Sequence, residues 1–377
     1  MAQRAGLKVF STMASAIALN GCVQIARPPA PVAMDTLTYS EAVSTARQEQ
    51  LLLNIVRLRY NDPVSFVDLE RLTTSDRISY DGRVSSNLNL TGAPAIGSLN
   101  GSFGPNLSSS PTMVYSTLRG KSYAEQLLQP LPPASIFLLS QSGWNVEHLM
   151  LCCVARMGDL DNARTAAGPT PEKMPDNGRF RHLANLMRRL QEKNALMIQV
   201  IDPEEPGQGP RVILKWRRYP TEGELLANYL TENWAARVEP MSGDRYVAEI
   251  TTRGNRVGDF AVHGRSLMSV MSALSQTVHI PDEHASIVSI TEQAENGLGE
   301  PCRAPGGWED VTGGYFAVMV AKNKPSSAAV AVEYRDHWFY IDDTCFTAKA
   351  TLNLLDHLYA LQAGITNGNN TLILLGG

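Results

Sequence analysis

From His279 to His284 the chain reads His-Ile-Pro-Asp-Glu-His, which places two imidazoles and two carboxylates within six residues. These are ligand types that zinc favours, so the composition is that of a metal site. The spacing is not, because helical zinc motifs place their histidines four residues apart and Pro281 makes this segment a loop. The segment is therefore expected to offer ligand contacts through His279, Asp282 and His284, with no metal. Trp338 is a second candidate, since it follows His337 and precedes Asp342 and Asp343. An aromatic ring beside acids suits a sugar, and an acid or imidazole there can move a proton. The competing expectation is that Asp342 and Asp343 open the last helix and accept from its free amides. No GxSxG, Walker A, Gly-rich dinucleotide loop or SxxK sequence occurs, so no catalytic residue is nominated and an enzyme is not the leading expectation.

Cysteine chemistry is more informative. Arg4 and Lys8 precede the 11-residue, largely apolar run Val9 to Leu19, with no acidic residue before Cys22. That run is too short for a membrane span, which needs ~20 residues, and has the layout of a secretory signal. Leu19-Asn20-Gly21-Cys22 resembles the lipobox of bacterial lipoproteins, with Asn20 an unusual occupant. The resemblance implies a signal peptide over residues 1–21, diacylglycerol on the Cys22 sulfur and an acylated amino group on Cys22. It implies no other cofactor. With Val23 next in the chain, it also implies the outer membrane as destination, lipid-anchored and facing the periplasm. Of the remaining cysteines, Cys302 in a Gly/Pro-rich loop and Cys345 at the start of a helix are the expected disulfide in that oxidising compartment. Adjacent Cys152 and Cys153 read as small buried hydrophobes.

Removing Arg4 and Lys8 with the signal leaves 31 Lys and Arg against 37 Asp and Glu, which argues against nucleic acid as a partner. The elements that must position these residues begin after a Pro-rich tether, residues 22–37, containing Pro28, Pro29 and Pro31. A helix is expected from Tyr39 to Tyr60, apolar at Leu51, Leu52, Ile55, Val56 and Leu58 and stopped by Asn61-Asp62-Pro63. An apolar helix is expected through about Arg156, and a basic amphipathic one over Arg179 to Asn194. Strands are expected at 195–201, 212–216 and 246–252, and helices at 221–234 and around 267–277. Strands at 315–321, 329–334 and 338–341 then precede a last helix to Gln362. Irregular interleaving of strands and helices implies an α+β fold, divided into a helical region over 38–166 and an α+β domain over 179–377.

One segment stands apart. Ile78, Tyr80, Gly82, Val84, Leu88 and Leu90 alternate with polar residues, and Leu99, Gly101, Phe103 and Leu107 repeat the pattern beyond the Gly/Pro turn at 92–97. Period-two alternation on both sides of a turn predicts a β-hairpin over residues 77–118. Val84 to Leu118 contains no charged residue in 35, although 19% of the chain is charged. A spanning strand needs ~9 to 11 residues, so each arm is long enough to contribute to a barrel shared among several copies. A single hairpin cannot enter lipid, because its edges leave backbone groups unpaired.

Leu51 to Pro63, Gln141-Ser142-Gly143-Trp144, His337 to Asp343, Lys349-Ala350-Thr351 and Leu361-Gln362-Ala363-Gly364 together are similar to a set of proteobacterial lipoproteins to which no activity is attached. The expected role is thus structural or assembly-related: a homo-oligomer, or part of an envelope complex, joined through the hairpin. The alternative is a periplasmic hydrolase or ligand-binding lipoprotein acting on envelope components.

Overall fold

The computed structural model describes residues 30–86, 99–117, 120–201, 211–219, 221–234, 238–250, 261–292 and 301–366, with side chains of 68–116 left out. Cys22, the signal segment and the hairpin turn lie outside the described residues. The chain divides into two units, residues 1–45 and 46–377. The fold is α+β. Its first helix, α1, spans Ala30–Arg59. It starts eight residues inside the expected Pro-rich tether, and Pro31 falls in its first turn, where a missing N–H costs no helical bond. Leu51, Leu52, Ile55 and Val56 are fully buried. So is Asn54, whose amide closes a two-bond ring with Ser65: Nδ2 donates to the Ser65 carbonyl at 2.8 Å and Oδ1 accepts from the Ser65 N–H at 3.0 Å. That ring turns the chain after α1, with Asn61 in the left-handed region at φ 56°.

Strands β1 (Val67–Ser86) and β2 (Leu99–Thr117) form the hairpin. Helix α2 (Gly120–Tyr123), continued by a π-helical turn over Ala124–Leu128, brings the chain back to the body. Helices α3 (Pro133–Gln141) and α4 (Val146–Cys153) follow, and every residue of α4 except Glu147 is buried. The expected helix through Arg156 is three residues too long: Val154–Met157 is strand β3, which pairs with β4 (Leu160–Asp161) and β9 (Val262–Gly264).

A buried helix end must have partners for its last carbonyls. At the C-terminus of α4 they come from two distant residues. Asn162 Nδ2 donates to the carbonyls of Met150, Leu151 and Val154 at 3.2, 3.0 and 2.7 Å. Arg265 Nη1 donates to Leu151 and Cys152, both at 3.3 Å, and its Nη2 to the Asn162 carbonyl. Burial lowers the pKa of Arg265, yet its positive charge sits where the helix dipole is negative and within reach of the Asp161 carboxylate, and both favour the buried cation. Gly264 precedes it for a steric reason, since a Cβ there would stand 2.1 Å from the Leu131 carbonyl oxygen.

Helix α5 (Gly178–Glu192) leads into β5 (Leu196–Ile201) and β6 (Arg211–Arg217); α6 (Glu222–Trp234), β7 (Glu239–Met241) and β8 (Arg245–Ile250) complete a four-stranded sheet of order β5-β6-β8-β7. Ile198, Val212, Leu214, Trp216, Ala248 and Ile250 are buried on one face. The alternate residues, Met197, Arg211, Arg217, Arg245 and Glu249 among them, face solvent. After α7 (Leu267–Ser275) and α8 (Trp308–Thr312), strands β10 (Met319–Ala321), β11 (Ala328–Tyr334) and β12 (His337–Asp342) form a three-stranded antiparallel sheet, with β12 central. Helix α9 (Phe346–Thr366) ends the described chain. One apolar core runs from Leu51 on α1 to Tyr359 on α9, drawing on residues either side of the 167–178 loop.

Candidate functional site

The hairpin starts at Val67, ten residues before the expected Arg77, and its 19 paired rungs run from Val67↔Thr117 to Ser86↔Leu99. At 3.3 Å per residue the ribbon is about 60 Å long. Directly opposed residues share a face, so the register decides whether the two alternations agree. They do. Ile78↔Leu107, Tyr80↔Pro105, Gly82↔Phe103 and Val84↔Gly101 lie on one face, while Arg77↔Ser108, Ser79↔Asn106 and Arg83↔Ser102 lie on the other. Thr74↔Pro111 and Asp76↔Ser109 interrupt the apolar face.

Leu69 and Leu72 are three residues apart and would fall on opposite faces of a regular strand. A register shift between Leu69 and Arg71 leaves Glu70 unopposed, and the pairs become Leu69↔Tyr115 and Leu72↔Met113. Tyr115 and Met113 are two apart on β2, so the bulge keeps both leucines on the apolar face. All the charge of the ribbon sits on β1, at Asp68, Glu70, Arg71, Asp76, Arg77, Asp81 and Arg83; β2 has none. Among the described residues the two strands pair only with each other. Exposed edges normally carry charge to prevent further pairing, and β2 lacks that protection, although Pro105 and Pro111 each remove a donor.

The root of the ribbon is tied to α1, and the end of α1 is held in turn by the residues around His284. The Val67 N–H bonds Gln50 Oε1 at 2.9 Å. The Tyr60 hydroxyl lies 2.7 Å from His284 Nδ1. His337 Nε2 is 2.9 Å from Glu283 Oε1, and the two imidazole centroids are 5.0 Å apart. Asp62 accepts from the Tyr334 hydroxyl and, at 2.8 Å, from Arg335 Nη2. Burial, with His337 adding to it, lowers the His284 pKa, so the ring is neutral at pH 7 and takes the Tyr60 proton as acceptor. Burial raises the Tyr60 pKa, which keeps it a donor rather than a base. The hydrogen bonds from Tyr334 and Arg335 hold Asp62 below the usual carboxylate range. The cluster thus fastens the end of α1 to the β11–β12 turn.

The sequence candidates are not gathered into one site. His279 is buried, its Nε2–H donating to the Arg303 carbonyl at 2.7 Å. Asp282 is exposed in a short 3-10 turn. Only His284 and His337 meet. Trp338 lies on the other side of β12 from buried His337 and holds Lys324 Nζ 5.1 Å over its ring. Asp342 Oδ1 accepts from the Thr344 N–H at 3.0 Å and its hydroxyl at 2.6 Å, and Oδ2 from Ser327 Oγ at 2.5 Å, a turn-forming role just before α9. Among the described residues no group of three His, Cys, Asp or Glu side chains is placed to hold a metal ion. Cys302 and Cys345 are joined in a disulfide, and Cys152 and Cys153 are free and buried. The residues that sequence inspection passed over are Tyr60, Asp62, Tyr334 and Arg335. The signal for them was position: Asn61-Asp62-Pro63 reads as the stop of a helix, and Arg335-Asp336 falls in the gap between the strands expected at 329–334 and 338–341, so both read as punctuation and not as partners.

A small cavity of about 20 Å³ beside His148, Cys152, Arg265 and Thr351 has room for one water. No helix among the described residues is long and apolar enough to cross a membrane. Comparison with protein-family models, with curated proteins and with solved structures finds no match to this chain.

Proposed function

We propose that the protein is an outer-membrane lipoprotein, anchored through acylated Cys22 and facing the periplasm, whose role is structural: copies associate edge to edge through the hairpin and can close their strands into a shared barrel. The observation that carries this reading is the ribbon itself. It has an apolar and a polar face in matched register, 19 rungs, two unpaired edges among the described residues and no charge on β2. Each strand exceeds the ~9 to 11 residues needed to cross lipid. Pairing β2 of one copy with β1 of the next leaves an edge at each end until a ring closes, so association is self-propagating and ends only in a closed assembly.

The test is the size, in mild detergent, of protein extracted from membranes with and without residues 67–117. The whole chain is expected to run as an oligomer and the shortened chain as a monomer. A second variant, Gly101→Lys with Leu107→Lys, keeps the length of the ribbon and is expected to give monomer too. An oligomer of unchanged size in both variants overturns the proposal.

A further inference from the structure

The four-stranded sheet has a second feature that its own packing does not use. Where β6 ends and β8 begins, Arg217 is directly opposite Arg245, which is directly opposite Met241 on β7. Directly opposed residues share a face with Cβ atoms ~5 Å apart, and like charges so placed repel. Both arginines are exposed, and neither has an acidic partner among the described residues. Arg218 is different. Its Nε bonds Glu224 Oε1 at 2.8 Å, its backbone N–H bonds the Asp244 carbonyl at 2.8 Å, and its guanidinium lies 5.7 Å from the Tyr219 ring. Arg218 thereby ties the β6–α6 connection to the β7–β8 turn, and apolar side chains in that connection, in the first turn of α6 and at the end of β7 are open to solvent. Tyr219 is 62%, Leu225 49% and Met241 44% exposed.

The geometry points to this end of the sheet as a docking surface for an anionic lipid headgroup layer. Charge is the first reason. Three arginines stand here against Glu224 and Asp244, on a chain whose net charge is −4. The two with no acidic partner among the described residues stand opposite each other on one face, where one anion can bridge both. Shape is the second. A protein interface is built around a continuous apolar core, whereas here single apolar side chains and guanidinium groups are interspersed at one end of the sheet. Tyr and Arg each have an apolar body and a polar tip, which is the form that sits at headgroup level. This surface is built from elements other than the hairpin, so its test can fail while the assembly test succeeds.

The experiment uses the full chain with Cys22→Ser, so that no acyl group contributes, and follows co-flotation with vesicles of phosphatidylcholine alone or with about three parts in ten phosphatidylglycerol. Binding to the anionic vesicles only, weakened by salt, is expected. Arg217→Gln with Arg245→Gln should lower that affinity about thirtyfold, two basic residues at an anionic surface accounting for roughly that factor. Tyr219→Ser with Met241→Ser should also weaken it, leaving the salt dependence intact. Any contribution from residues 1–21 is common to all of these proteins and cancels in the ratios. Equal binding to neutral and anionic vesicles overturns the proposal, as does an arginine double variant that floats like its parent. A double variant that changes oligomer size and not flotation also overturns it and makes the surface a protein interface. Removing residues 67–117 should leave the flotation ratios unchanged, which separates this result from the assembly test.

Discussion

His148 shows what a single side chain contributes to this fold and how that contribution changes with pH. Its ring stacks on Tyr315 with centroids 4.3 Å apart, and Nε2 lies 2.9 Å from Thr351 Oγ1. The one proton of the Thr351 hydroxyl goes to a carbonyl, with Tyr315 O at 2.7 Å and Thr347 O at 2.8 Å, which leaves Oγ1 to accept from His148 Nε2–H. Burial depresses its pKa from 6.5 to about 4. The unfolded chain therefore binds a proton that the folded chain refuses. Stability from this residue is complete above pH ~6.5 and is lost as pH falls towards 4, by about 3 kcal/mol in all. Urea unfolding at pH 7 and at pH 5 should show the decline, and His148→Gln should flatten it over that interval. A variant with the parent's pH dependence would remove His148 as the cause. Nothing in the sequence around Val146 to Cys153 marks this histidine, since its partners Tyr315 and Thr351 lie more than 160 residues away. Arg59 was equally unreadable. It looks like a surface residue at a helix end, yet it is 3% exposed and donates to Thr170, Gln276 and the Ser289 carbonyl.

At the scale of elements, legibility followed local pattern. Helix α6 starts and stops within a residue of the expected limits, because its apolar spacing and end signals are both local. The hairpin shaft was legible for the same reason. Its first ten residues were not, because Leu69-Glu70-Arg71-Leu72 breaks the alternation, and only the partner strand reveals that the break is a bulge. Strands β3, β4 and β9 were missed because short strands are too brief to show a period, and β9 pairs with β3 across a hundred residues of chain. The candidate site was less legible than the fold. Sequence proximity brought His279, Asp282 and His284 into one motif, whereas burial and strand alternation sent His279 and His284 to different partners and brought His337 in from another element.

Across the whole molecule, two distant points of the described chain are joined covalently. The Cys302–Cys345 bridge closes a segment of 43 residues that includes α8, β10, β11 and β12. Closing a loop of that length in the unfolded chain corresponds to about 4 kcal/mol in the chain-entropy description. Cys302→Ser with Cys345→Ser is expected to lower the denaturant midpoint by that amount of free energy with the secondary structure retained; a midpoint unchanged under reduction would show that the bridge contributes little. Expression in a reducing compartment is predicted to yield the less stable form. The free pair Cys152 and Cys153 does not compete for oxidation, since both are buried on α4.

Glu70 is the one residue of β1 with no opposite number, so it is the one residue of that strand the ladder does not need. Its deletion would leave Leu69 two residues before Leu72, in phase with Ile78 and the rest of the shaft, and the hairpin would form with its faces still matched. What would go is the bend and the added twist of the bulge. The expected outcome is an oligomer of unchanged size in detergent; a monomer would mean that pairing between copies depends on that twist and not on the faces alone. The foot of this ribbon can therefore lose a residue at one address, a slack that a strictly alternating strand does not have.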